Sequence, residues 1–230
     1  VVLILTAIGI FMLTKIAIWY RKQLEEEKLS KVKKVLVSSL PPLTKKQVGI
    51  ALSLLLVIIF ARSFYVTNIT NFYVFYLIQE YGLTIEKGQL LIFLFMACGV
   101  VGTFFGGSLS DRIGRKNVIL ISVVVPIPLC LALPYVPLWL VVILLIVIGS
   151  LIMISFSVTV VYAQELVPTK IGTMAGLTVG LAFGMGAIGS VLIGILMDKI
   201  GIETTMMIIS ALPILMLVAL ALPRDQVAKG

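Results

Sequence analysis

The chain has 230 residues, of which 60% are hydrophobic and 12% charged, with a net charge of +8, two cysteines and no histidine. A soluble domain of this length could not bury so much apolar surface, and a mean hydropathy of +1.20 points to the bilayer interior as solvent. Without histidine, and with Cys98 and Cys130 both inside apolar runs, neither a metal site, a disulfide framework nor a cofactor is indicated, and an enzyme is not expected.

Apolar runs long enough to cross a hydrocarbon core of ~30 Å recur at 1–20, 47–79, 89–109, 117–134, 138–163, 173–197 and 203–222. They predict seven helical spans. The first opens VVLILTAIGI, with no initiator methionine, basic leader or small-residue cleavage site, so Val1 reads as an internal position of a longer chain. Lys15 lies near the end of that span, where it can snorkel. The one long connection is 21–46. In it Leu29, Val32, Leu36 and Leu40 recur at helical spacing, while Lys28, Lys31, Lys33 and Lys34 fall largely elsewhere. That pattern describes either a basic amphipathic helix on the inner leaflet or a solvated linker. Pro41 and Pro42 end any such helix before the second span.

The second span carries Arg62, sixteen residues beyond Lys46 and so about 24 Å along a helix. A charge at that depth is costly and marks function by default. No Asp or Glu lies deep in any of the spans. On a helical projection Tyr65, Tyr73, Tyr76 and Glu80 share the face of Arg62, while Asn68 and Asn71 point more to the other side. A cation with a stripe of phenols suits an anionic or aromatic substrate in a central cavity. The alternative is that Arg62 pairs with a carboxylate or carbonyl elsewhere in a longer protein.

Between the third and fourth spans, residues 106–117 read GGSLSDRIGRKN. Gly106, Gly107 and Gly114 permit close backbone approach and a turn with positive φ. Asp111 can accept from arginine forks or face a helix N-terminus, and Arg112, Arg115 and Lys116 can pair with it, with a helix C-terminus or with anionic headgroups. This is either a tight basic turn or a latch between two conformations. Pro126 and Pro128 predict a kink in the fourth span. In the sixth, Gly172, Gly176, Gly180 and Gly184 recur at intervals of four and Gly186, Gly189 and Gly194 add more, a spacing for close helix packing or, as the alternative, for substrate contact. Gly194, Asp198 and Gly201 repeat the spacing of Gly107, Asp111 and Gly114, which either reflects an inverted three-plus-three repeat or is chance.

Alternate connections face alternate sides. Fourteen of the eighteen Lys and Arg residues lie in 21–46, 110–116, 164–172 and 223–230, whereas the opposite set (80–88, 135–137 and 198–202) holds only Lys87 and Lys199. By the positive-inside rule the first set, including the C-terminus, is cytoplasmic. Topology thus accounts for the net charge, and nucleic-acid binding is not implied.

The stretch Gly107-Ser-Leu109-Ser-Asp111-Arg112-Ile-Gly114-Arg115-Lys116 resembles the G-x-L-x-D-R-x-G-R-K loop motif of the major facilitator superfamily at every defined position. With one span and a long basic loop upstream, this copy matches the loop between helices 8 and 9 of that family. The resemblance implies an all-α polytopic membrane protein of major facilitator fold. It assigns 1–20 to the last helix of an N-terminal half absent from this chain, 21–46 to a cytoplasmic basic linker, 47–222 to the C-terminal six-helix bundle and 223–230 to a cytoplasmic tail. It also implies a latch whose partner lies in the other half.

Tyr162-Ala-Gln164-Glu165-Leu-Val-Pro168, Phe183-Gly184-Met185-Gly186 and Ala61-Arg62-Ser63 are similar to the fosmidomycin resistance branch of that superfamily. This implies a proton-linked antiporter of the plasma (inner) membrane that exports small anionic drugs, with protons and substrate as partners. Within that frame Arg62 is the expected substrate anchor, and Gln164 and Glu165 a cytoplasmic gate. An importer of an organic anion or sugar, and a seven-helix receptor without transport, remain as alternatives. The last span has no lysine for a retinal.

Overall fold

The computed structural model of the protein describes Lys15 and residues 44–223. The expected first helix, apart from Lys15, most of the linker and residues 224–230 of the tail lie outside the described residues. Lys15 is helical and exposed.

The order of elements from residue 44 is α1 (Lys45–Asn71), α2 (Tyr73–Tyr81), α3 (Ile85–Ile113), α4 (Arg115–Val124), α5 (Pro126–Ala132), α6 (Leu138–Leu166), α7 (Ile171–Ile200) and α8 (Ile202–Ser210). Short 3₁₀ turns occupy Leu133–Tyr135 and Pro168–Lys170, and a longer one, Leu212–Ala221, completes the last span. Among the described residues six helical stretches are long and apolar enough to cross a membrane. No strand occurs among them. In a bilayer a helix satisfies its own backbone, so an apolar chain of this kind has little alternative.

Local chemistry sets the ends. Thr44 opens α1 with a capping box: the Gln47 N–H donates to Thr44 Oγ1 at 3.4 Å, and the Thr44 N–H donates to Gln47 Oε1 at 2.9 Å. Thr84 caps α3 in the same sense, accepting from the Lys87 N–H at 3.4 Å. Gly82 ends α2 at φ +63°, the left-handed closure that glycine adopts without steric cost. The fourth span is broken between Val124 and Pro126, because proline lacks the N–H that the ladder needs. The kink predicted there corresponds to this missing hydrogen bond, with Val125 still at helical angles (φ −65°, ψ −42°). Pro213 has the same effect in the last span, which continues beyond it as 3₁₀.

The two turns matched in sequence are also matched in backbone. Gly114 has φ +90° and ψ +144°, and Gly201 has φ +82° and ψ +165°. Each glycine N–H donates to the carbonyl four residues back (Ser110, Met197), and each glycine carbonyl accepts from the N–H four residues on (Val118, Thr205). The turns are three spans apart and therefore at opposite ends of the bundle.

The tightest helix seam joins α3 to α6. A Cβ at Gly102 would collide with the Ser150 carbonyl. One at Gly106 would lie 2.9 Å from Ser157 Oγ, and one at Gly149 would lie 2.5 Å from the Phe95 carbonyl oxygen. Without side chains at these points the backbones touch, and Ser157 Oγ donates across to the Thr103 carbonyl at 3.5 Å. Among the described residues no helix approaches Gly176, Gly180 or Gly184, because a Cβ at any of them would meet nothing within 4 Å. The sixth predicted span packs on α1 through Gly186 and Gly189, which approach Thr67 and Phe64. Even spacing makes a smooth helix face, but only a facing helix makes a seam.

Candidate functional site

Arg62 sits in the interior of α1 and is only 6% exposed. Its Cζ stands 4.4 Å from the centroid of the Phe156 ring on α6. Among the described residues no carboxylate pairs with it; the ion pairs there join Arg115 to Asp111 and to Glu165. A cation on an aromatic face gains about 0.5–2 kcal/mol. Taking an ion out of water costs several kcal/mol. The ring therefore offsets only part of the penalty, and the remaining electrostatic demand is for an anion.

The tyrosine stripe expected beside Arg62 is placed otherwise. Tyr65, Tyr73 and Tyr76 are all fully or almost fully buried in an apolar core with Leu77, Phe95, Leu145 and Ile148. Tyr73 and Tyr76 stack at 5.4 Å. The Tyr76 hydroxyl donates to the Pro134 carbonyl at 3.0 Å, and Tyr81 donates to the Val136 carbonyl at 2.7 Å. Tyr76 and Tyr81 thus fasten α2 to the 134–136 turn, while the Tyr65 and Tyr73 hydroxyls are buried with no hydrogen-bond partner among the described residues. The helix breaks at Phe72, so a 3.6-residue period does not carry from Arg62 to Tyr73 and Tyr76, whereas Tyr65 lies before the break and is buried on α1 itself. Asn68 is buried and its amide donates to Met206 Sδ at 3.2 Å, while exposed Asn71 reaches Ser190 Oγ at 3.4 Å. Glu80 is exposed.

The second cluster lies at the basic end of the bundle. The α3 helix runs through Asp111 and Arg112 to Ile113, Gly114 turns the chain, and Arg115 and Lys116 open α4. Asp111 and Arg115 are one helical turn apart across the loop, 3.7 Å between carboxylate and guanidinium. Arg115 also forms an ion pair with Glu165 in the last turn of α6, and both of those side chains are largely shielded (17% and 18% exposed). Lys116 Nζ donates to the Leu220 carbonyl at 3.2 Å and to the Leu222 carbonyl. These are orphan acceptors at the end of the last span, where a cation is doubly favoured. The Tyr162 hydroxyl donates to the Pro223 carbonyl at 2.8 Å and ties down the same end.

The loop residues therefore separate by role. Arg115 and Lys116 are engaged within this bundle. Asp111, 72% exposed, and exposed Arg112 project outward. Gly114 supplies the positive φ and Gly106 a close approach to α6, but Gly107 lies within α3 facing open space, so the latitude expected of it is not used. Gln164 is half-buried beside Glu165. Sequence reasoning placed Arg115 and Glu165 in separate groups, latch and gate, and the structure joins them. It missed Phe156 altogether. That contact crosses between spans 94 positions apart, and no helical period can signal it.

Six apolar helical stretches, a buried arginine with no carboxylate partner among the described residues and a charged inter-helix loop describe an all-α polytopic membrane protein. The Major Facilitator Superfamily model matches residues 1–181, and the chain belongs to that family. It is 47% identical over 225 residues to the "Uncharacterized MFS-type transporter YfnC" of Bacillus subtilis (strain 168), covering 97% of this chain and 54% of the relative. It is 38% identical over 219 residues to the "Fosmidomycin resistance protein" of Escherichia coli (strain K12), covering 95% of this chain and 53% of the relative. The chain thus spans about half the length of the curated relatives it matches.

Proposed function

We propose that the whole protein is a secondary transporter of the plasma membrane that exports small anionic drugs of the fosmidomycin class in exchange for protons. In this reading 1–20 is the last helix of the N-terminal half, 21–46 is a cytoplasmic linker and 47–222 is the C-terminal bundle. Loop 110–116 and the tail from 223 onward face the cytoplasm.

One observation carries the substrate class: the Arg62 guanidinium is buried inside a membrane span with an aromatic ring as its described partner and no carboxylate. A neutral sugar would leave that charge uncompensated and a cationic drug would be repelled, whereas a phosphonate neutralises it. The relative bearing the name fosmidomycin resistance protein supports the same class. Proton coupling rests on that resemblance alone, because the carboxylates of the described residues lie toward the ends of the spans. Asp111 and Arg112 are proposed as the outward half of a latch, with Glu165 and Gln164 behind it as the gate.

The test is growth. Expression of the full-length protein should raise fosmidomycin tolerance in a sensitive host, and Arg62→Ala should return it to the empty-vector level at equal membrane abundance. Undiminished tolerance in that variant removes Arg62 as the anchor.

A further inference from the structure

The start of α1 and the end of the last span leave a groove of about 270 Å³ between them at the basic end of the bundle, lined by Gln47, Ile50, Ala51, Ala221 and Pro223. Four of these five residues are apolar. The groove is smaller than the ~300–1,000 Å³ usual for a small-molecule site. Gln47 also lies fifteen residues before Arg62, about 22 Å along the helix, so this is not the anion site proposed above. Ile50 is 52% exposed and Ala51 fully buried, so the cleft runs from the outer surface of the bundle inward.

Cations frame this apolar cleft. Lys116 Nζ donates to the carbonyls of Leu220 and Leu222, on either side of Ala221, which sets an ammonium group against the backbone of one wall. On the other wall Lys46 precedes Ile50 by four residues, one helical turn, so the two share a face of α1 and exposed Lys46 stands at the mouth. The first turn of α1 contains no acidic residue. Gln47 Oε1 accepts from the Thr44 N–H at 2.9 Å, which leaves the Gln47 amide N–H groups as donors. Among the described residues this end of the bundle carries six Lys and Arg side chains against Asp111 and Glu165.

These features select an occupant. A free anion would gain from the cations and nothing from walls of isoleucine, alanine and proline, and a neutral hydrocarbon would gain only the reverse. A molecule with an anionic head and an apolar chain uses both. The groove lies at the ends of two apolar spans, where headgroups meet the hydrocarbon, and basic clefts between spans bind anionic lipid headgroups there.

We propose that this groove holds one anionic diacyl phospholipid, with its phosphate between Lys46 and the Gln47 amide and the upper part of one chain against Ile50, Ala51 and Ala221. The lipid then bridges the first and last of the six described spans.

The full-length protein, purified and delipidated in detergent, is titrated with phosphatidylglycerol, and bound lipid is counted by native mass spectrometry. Phosphatidylcholine with the same chains and glycerol 3-phosphate are run in parallel. One phosphatidylglycerol should bind, and phosphatidylcholine at least fivefold more weakly. Lys46→Gln should raise the Kd for phosphatidylglycerol about fivefold, and Lys46→Arg should restore it. Ala221→Leu, which fills the groove, should also weaken binding. Lys199→Gln, in the last turn of α7 at the opposite end, should change nothing. Equal affinity for the two lipids, or an unchanged Kd in either Lys46→Gln or Ala221→Leu, overturns the proposal. So does an effect of Lys199→Gln equal to that of Lys46→Gln, which marks unspecific charge. Competition by glycerol 3-phosphate at equal concentration marks a soluble-anion site, and absence of bound lipid shows the rest of the protein covering the groove; either result overturns it as well.

Discussion

Arg115 and Asp111 form an ion pair on paper, but the energetics differ sharply along this short chain of charges. The Asp111 carboxylate is 72% exposed and 3.7 Å from Arg115, so the pair is worth a few tenths of a kcal/mol in the bundle. Arg115 with Glu165 is largely shielded and joins two spans. A hydrogen bond to a charged group in such a place is worth about 1.5–3 kcal/mol. Two outcomes follow for the full-length protein in detergent and in membranes. Glu165→Gln should lower Tm by several degrees and slow transport, whereas Asp111→Asn should leave Tm unchanged and still impair transport. An Asp111→Asn protein with normal kinetics would remove the latch from the account. The charged residues themselves were readable in sequence, because a charge between apolar runs is conspicuous. Which charge meets which was not, since Arg115 and Glu165 come together only when α4 docks on α6.

At the level of helices, glycine is the instructive case. The stripe at 172, 176, 180 and 184 is the more regular in sequence, yet the close approach occurs at Gly99, Gly102, Gly106 and Gly149. A glycine pattern states where a backbone could be approached, and the neighbour is decided by the packing of the whole bundle. Gly102→Leu should therefore force α3 from α6 and lower Tm by roughly 5–10 °C, since overpacking of a tight seam costs a few kcal/mol. Gly180→Ala meets nothing within 4 Å among the described residues, and as an alanine within a helix it should hold or slightly raise Tm in the same thermal-melt assay. Equal effects from the two substitutions would show that the seam is wrongly placed. The tyrosines make the same point from another side. Their spacing promised a polar stripe, but Tyr65, Tyr73 and Tyr76 pack into an apolar core, where the Tyr76 hydroxyl reaches the Pro134 carbonyl and those of Tyr65 and Tyr73 have no partner among the described residues. Which phenol finds an acceptor depends on the neighbours packed around it, and a one-dimensional pattern cannot name them.

Over the whole chain, class and fold were the most legible features, because hydropathy and span length act on every residue at once. The six described spans fall where the apolar runs predicted, with ends shifted by a few residues toward Thr44, Thr84 and the glycines that cap them. The repeated turn at Gly114 and Gly201 was visible as spacing, and the two turns share a backbone shape and hydrogen-bond pattern. The proposed function was legible only as far as Arg62, a cation where none is comfortable. Its aromatic partner Phe156 needed three dimensions.

The central claim is that this buried cation binds an exported anion, and it is tested most directly by flux. Inverted vesicles with an acidic lumen should accumulate radiolabelled fosmidomycin through the full-length protein, lose that accumulation when a protonophore dissipates the gradient, and show none with Arg62→Ala at equal abundance. Accumulation by the Arg62→Ala protein at the wild-type rate would contradict the account.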